Sequence, residues 1–125
     1  MGRGLTFDTG ALIALERRRL RMRKALQLAH DERRTITVPS VVLAEWWRGR
    51  TDVRDSIVSS VRIEPLSSTI AKLAGEALVQ TRGANAIDAI VMASAAQRGD
   101  VVYTSDLDDL TRLSVAFPEV RVLAV

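Results

Sequence analysis

The sequence predicts an α/β layered fold with a mostly parallel central sheet of about five short strands. Short apolar or β-branched runs at Leu5–Phe7, Thr35–Val38, Val61–Ile63, Val101–Thr104 and Val120–Val125 alternate with longer stretches of helical periodicity. That alternation is the pattern of strand–helix–strand units. No repeat, linker or low-complexity stretch interrupts it, so residues 1–125 read as a single domain. With 47% hydrophobic residues and only 4% aromatic, the core must be aliphatic.

Leu5–Phe7 opens the sheet, and Ala11, Leu12, Ile13 and Leu15 follow at helical spacing. From Arg17 to His30 a basic amphipathic helix is expected, with Leu20, Ala25, Leu28 and Ala29 on its inner face. His30 reads as its end, favoured there by the helix dipole. The β-branched run Thr35–Val38 stops at Pro39, which has no N–H to give a ladder. Ser40 then reads as the cap of a helix through Val41–Arg48, ended by Gly49. Asp52–Ser60 is another helix, and Val61–Ile63 a strand closed by Pro65. Ser67-Ser68-Thr69 opens a helix to about Thr81, with Gly83 as its terminator. Asn85 caps a helix over Ala86–Gln97 that closes at Gly99. Val101–Thr104 is a strand, Asp106–Leu113 a helix opened by acids, and Val120–Val125 the last strand.

Composition removes whole classes of chemistry. Without cysteine there are no disulfides, thiolate zinc sites, iron–sulfur clusters or cysteine nucleophiles. With His30 alone, neither two-histidine acid–base catalysis nor a histidine-rich metal site can be built in one chain. Carboxylate and guanidinium remain. The net charge of +3 hides an uneven spread: residues 1–62 carry 13 Lys/Arg against 7 Asp/Glu, and residues 63–125 carry 5 against 8. Sixteen of the eighteen cations are Arg, whose fork suits phosphate. The run Arg17 to Lys24 reads either as a track for an RNA backbone or as a solvated helix face. No segment is apolar for long enough to cross a membrane, so the chain is expected to be soluble and, lacking cysteine, suited to the cytoplasm. Met1 to Thr6 formally matches a myristoylation signal, but Leu5–Phe7 has the character of a buried strand.

Ligands of open parallel sheets bind at the carboxyl ends of the strands, so acids there matter most. Asp8 follows the first strand, and Asp106, Asp108 and Asp109 follow the fourth. Helix capping explains each of them equally well. Glu45 in Val41–Trp47 and Asp88 in Ala86–Val91 instead interrupt apolar runs. A carboxylate buried there needs a cation or another acid beside it. If Asp8, Glu45, Asp88 and Asp106 converge, their repulsion requires a divalent ion, and oxygen-only ligands point to Mg²⁺ or Mn²⁺. Such ions activate water for phosphodiester hydrolysis with little help from other side chains.

Four segments in order resemble the PIN-domain ribonucleases, and within them the VapC-type toxins of bacterial toxin–antitoxin pairs. They are Phe7-Asp8-Thr9-Gly10-Ala11-Leu12, Leu43-Ala44-Glu45-Trp46-Trp47-Arg48-Gly49, Ala86-Ile87-Asp88-Ala89-Ile90-Val91-Met92-Ala93 and Thr104-Ser105-Asp106-Leu107-Asp108-Asp109-Leu110. The resemblance implies a three-layer α/β/α sandwich and a Mg²⁺- or Mn²⁺-dependent endoribonuclease that uses metal-activated water. It also implies a cognate antitoxin, an RNA substrate and a homodimer. Asp8, Glu45, Asp88 and Asp106 fall on the family's acidic quartet, with Asp8 and Asp88 as metal ligands and Glu45 acting through water. Asp109 fits a more variable fifth acid, and Thr104 a polar residue that orients the site. Gly10 departs from the serine that many relatives carry, leaving a hydroxyl near the metal without a source. Helices near the basic run often form the antitoxin groove, so Arg17, Arg18, Arg21 and Trp46 are candidate contacts for RNA or antitoxin.

Trp46 and Trp47 point about 100° apart on a helix, so one packs and the other is free for a partner or dimer contact. The rival to a nuclease is a catalytically silent PIN-fold module binding RNA or protein, which would have little reason to keep Glu45 and Asp88. Asp8-Thr9-Gly10 also matches the aspartic-protease triplet, but here it runs straight into helical periodicity.

Overall fold

The strand β1 (Leu5–Phe7) lies at the centre of the sheet with all three residues buried, which is why its run carries no charge. The structure, a computed structural model, describes residues 3–125; Met1 and Gly2, where the acylation-signal match begins, lie outside the described residues. After β1 come α1 (Thr9–Glu16), α2 (Leu20–Asp31), β2 (Ile36–Pro39), α3 (Ser40–Trp46), α4 (Asp52–Ser59) and β3 (Arg62–Glu64). The second half adds α5 (Ser68–Gln80), α6 (Ala86–Arg98), β4 (Val101–Thr104), α7 (Leu107–Arg112), a short 3₁₀ turn (Leu113–Val115) and β5 (Arg121–Ala124).

The sheet order is β3-β2-β1-β4-β5, and every neighbouring pair is parallel. The chain steps outward from β1 to β2 and β3, then crosses back to lay β4 against the other side of β1. Right-handed crossovers therefore put α1–α4 on one face and α5–α7 on the other. The packing agrees: α1 meets α2, α3 and α4, while α6 meets α5 and α7. The result is three layers, α/β/α. One connected core of Leu, Val, Ile, Ala and Met fills both sides, with Phe7 and Phe117 among its few aromatics. The strand order reverses between β1 and β4, so their carboxyl ends border an open crevice.

The basic helix expected over Arg17–His30 is broken at its start. Arg18 adopts φ +58°. Its N–H donates to the Leu15 carbonyl, and that of Arg19 to the Ala14 carbonyl, which closes α1 with a Schellman turn. Arg33, at φ +55°, ends α2 in the same way, with Arg34 N–H reaching the Ala29 carbonyl. Both turns use arginine where glycine normally marks the stop, so the sequence carried no break signal. The restart rotates α2, burying Met22, Ala25 and Ala29 and leaving Leu20 and Leu28 61% and 51% exposed, against expectation. Ser40 is the first residue of α3 rather than its cap; Pro39 precedes the helix without a side-chain bond. The caps expected at Asn85 and Gly99 are present, Asn85 accepting from the Asp88 N–H and Gly99 left-handed at φ +70°.

A polar seam ties α6 to the sheet. The Arg98 guanidinium pairs with Asp100 at 2.8 Å, with Glu64 at the end of β3, and with the Thr6 hydroxyl of β1 at 2.9 Å. Thr6 in turn donates to Asp100 at 2.8 Å, and Ser94 to Glu64 at 2.6 Å. Arg98→Ala would leave the buried Asp100 without a counter-charge and Glu64 with only Arg62 at 3.9 Å, so a loss of about 3–5 kcal/mol is expected by chemical denaturation; a loss below 1 kcal/mol would contradict the role given to the seam. Arg33→Gly removes a left-handed non-glycine residue from an exposed turn. Its melting temperature should rise by roughly 2–4 °C, and an unchanged or lower value would count against strain there.

Candidate active site

The first acid is held by the geometry that ends β1. Asp8 leaves the strand extended, and its side chain accepts the Ala11 N–H at 2.8 Å, capping α1. It is 5% exposed. Burial raises its pKa from 3.8 to about 6, against hydrogen bonds from Thr104 and Ala11 that pull it down; the Asp106 and Glu45 carboxylates add to the rise.

The neighbouring strand supplies the next group. Thr104, the last residue of β4, is fully buried. Its hydroxyl accepts the Asp106 N–H at 2.8 Å and lies near enough to Asp8 to pull that carboxyl's pKa down, so it stands between the two acids across the β1–β4 crevice. Asp106 precedes α7, yet its side chain makes no capping bond, and it is exposed. Capping therefore accounts for Asp8 but not for Asp106. Asp109, in the first turn of α7, pairs loosely with Arg112 at 3.6 Å on the surface.

Asp88 sits in the first turn of α6, on the other face of the sheet. Asn85 holds it at both ends, accepting its N–H at 2.8 Å and donating Nδ2 to Oδ2 at 2.9 Å. Its pKa also rises to about 6, first from burial and then from Asp8, Asp106 and Asp109. Glu45 differs from the sequence expectation. It is exposed, because Val42 and Trp46, four residues apart, form the inner stripe of α3. The Thr9 hydroxyl donates to Glu45 Oε1, and the Glu45 charge still reaches Asp8.

The acids thus share one electrostatic field, but they do not close on a point. Among the described residues no three Asp, Glu or His side chains are gathered tightly enough to hold an ion as they stand. Unneutralised carboxylates repel one another, and Ala11, Thr104, Asn85 and Thr9 hold several of their oxygens apart. The donor set nevertheless suits a hard divalent cation: all oxygen, with two half-buried or buried carboxylates whose ionisation a positive charge would relieve.

A family model for the PIN domain matches residues 5–115. The chain belongs to the PIN domain family. No curated protein sequence matches it. Three solved structures are similar in fold to this PIN domain. A chain of DNA-bound VapBC from Salmonella typhimurium has a TM-score of 0.77 at 18% identity, with 98% of each chain covered. A chain of VapBC2 from Rickettsia felis, bound to a DNA fragment from their promoter, scores 0.76 at 16% identity, covering 97% of this chain and 98% of that one. A chain of FitAcB from Neisseria gonorrhoeae scores 0.66 at 19% identity, covering 95% and 96%.

In this PIN domain the basic run is divided between two surfaces. Arg17, Arg19 and Arg21 line a groove with Gly10 and Ser105, next to the acids. Arg18 lies instead with Arg23 and Asp52 in a separate cavity, so it does not join Arg17 and Arg21 as the sequence suggested. Trp46 is largely buried, yet it lines a cavity with Arg17, Glu45 and Arg48. It is 5% exposed, with its Nε1 donating to Glu16 at 3.1 Å, and the half-buried Trp47 lies edge-on to it. Thr9, Asn85 as a partner of Asp88, Arg19 and Ser105 were not singled out as site residues from the sequence. Only Gly10, a glycine inside a helix, hinted at Ser105.

A folded-state pKa above its unfolded value means that stability is full at low pH and lost as the acid ionises. In chelator, stability should therefore fall as the pH rises from about 4 through 6. Asp8→Asn keeps the cap and removes the charge, so it should flatten the fall and raise stability at pH 8 by about 1–3 kcal/mol in denaturant titrations. Identical pH profiles for variant and wild type would contradict the burial assigned to Asp8.

Proposed function

We propose that this PIN domain, a single unit over residues 1–125, is a Mg²⁺- or Mn²⁺-dependent endoribonuclease, the toxin of a cytoplasmic toxin–antitoxin pair. One observation carries the nuclease reading. Asp8, Asp88 and Asp106 come from three separate segments, yet the charges of Asp8 and Asp106 both raise the pKa of Asp88 at the open edge of the sheet. The toxin reading is supported by likeness over nearly the full length of chains from VapBC and FitAcB assemblies. Among the described residues no helix is long and apolar enough to cross a membrane.

Asp8, Asp88 and Asp106 would hold the cation, with Glu45 reaching it through water. When bound, the ion supplies positive charge to a phosphodiester oxygen and acidifies water. Thr104 keeps Asp8 and Asp106 in fixed relation, Asn85 fixes the rotamer of Asp88, and Thr9 aims Glu45. Asp109 adds negative charge at the rim. An antitoxin would act by covering the acids or by placing its own cation among them.

Purified protein should cut RNA with Mn²⁺ or Mg²⁺ and stop in chelator. Asp8→Asn and Asp88→Asn should each slow cleavage roughly 100-fold or more. In cells, wild type should arrest growth, both variants should not, and co-expressed antitoxin should relieve the arrest. Equal cleavage by all three proteins, or none with Mn²⁺ present, would leave a silent PIN-fold module that binds RNA or protein.

A further inference from the structure

Two cavities of opposite charge meet at one side chain. A groove of about 560 Å³ passes over α1 and the turn after it, lined by Arg17, Arg19 and Arg21 with the apolar Ile13, Ala14, Leu20 and Val125, and reaches Gly10 and Ser105. A second cavity, of about 350 Å³, is formed by Ser105 with Asp106, Asp108 and Asp109. Ser105 is exposed and stands at the junction.

Gly10 is what admits it. A Cβ on Gly10 would lie 1.8 Å from Ser105 Oγ and 2.5 Å from Ser105 Cβ, so any side chain there displaces the serine. Gly10 is the second residue of α1 and its backbone is not left-handed, so neither a turn nor a cap calls for glycine there. Close approach of Ser105 is therefore the reason that the fold itself provides for glycine at this position. The groove on the other side presents three guanidinium forks, which match phosphate oxygens. A ligand bridging both cavities must offer anions to the arginines and uncharged surface to Ile13, Ala14 and Leu20, yet end at a carboxylate cluster. A phosphodiester strand has that character, with one charge per nucleotide and a bond for the acids to meet.

Resting on the nuclease reading above, we propose that this groove seats the sugar–phosphate backbone adjoining the scissile bond, with Ser105 as its inner anchor. Ser105 donates its Oγ–H to the phosphate nearest the carboxylates, and Arg17, Arg19 and Arg21 contact the phosphates beyond. Arg18 and Arg23, in the other cavity beside Asp52, take no part.

The test is binding of a labelled single-stranded RNA over a salt series, followed by fluorescence anisotropy. It uses full-length Asp88→Asn protein and, in parallel, wild type in chelator. Adding Arg19→Ala/Arg21→Ala should lower the slope of log K against log salt by about 1.4, while Arg18→Ala/Arg23→Ala leaves it unchanged. Ser105→Ala should weaken binding about tenfold at constant melting temperature. Gly10→Ser should weaken it similarly, and Gly10→Ser/Ser105→Gly, which returns one hydroxyl to the same space, should recover affinity to within about threefold of the parent. A slope that follows Arg18 and Arg23, Ser105→Ala binding like its parent, or no RNA binding at low salt would overturn the proposal. Tighter binding of a poly-glutamate peptide than of RNA would overturn it too, transferring the groove to a protein partner. Wild-type cleavage is assayed separately. Expected binding without cleavage would refute the nuclease reading alone, and cleavage with failed binding arms would refute this proposal alone.

Discussion

Arg98, at the end of α6, joins three strands to one helix. Its guanidinium reaches Glu64 at the end of β3, Asp100 at the entry to β4 and Thr6 within β1. Parallel strands have no hairpins to hold them in order, so their positions depend on what packs across them. Apolar contacts fill that space but slide easily, whereas a buried ion pair tolerates little displacement. The same helix carries Asp88 near its other end. A bond that secures the C-terminus of α6 over the sheet therefore also sets where Asp88 meets the acids of β1 and β4.

Those acids are brought together by topology at a cost in stability. The reversal of strand order between β1 and β4 places Asp8 beside Thr104 and the loop to Asp106, and α6 adds Asp88 from the opposite face. Burial and mutual repulsion hold two carboxyls near a pKa of 6, which a folded protein tolerates only because its hydrogen bonds fix them. Ala11 and Asn85 supply those bonds from within a turn of the acids themselves. The arginines of the groove stand outside, beyond Ser105, and among the described residues no cation pairs with Asp8 or Asp88.

Much of this was legible in the linear chain, and the misses have physical causes. The strand runs were found to within one or two residues, because buried parallel strands are short, apolar and bounded by helix caps. The caps at Asp8, Ser67, Asn85 and Gly99 follow from local hydrogen bonding, which depends on residues a few positions apart. The break before α2 was hidden because arginine, not glycine, takes the left-handed position at Arg18. That one turn decides which arginines face the acids, and it also exposes Leu20 and Leu28. Glu45 interrupts an apolar run yet is exposed, because in a seven-residue helix a single stripe of Val42 and Trp46 suffices to bury one face.

The sequence by itself determined the class of fold, its caps and the chemistry open to it: one histidine and no cysteine leave carboxylates and arginines. These follow from composition and from interactions between residues near in the chain. Tertiary structure alone decided which acids share a field, that Asp106 is not a cap, that Trp46 is interior and that Ser105 fills the space left by Gly10. Each of these depends on the packing of segments far apart in sequence, where a rotation of one helix by a single residue, about 100°, exchanges the side chains that meet.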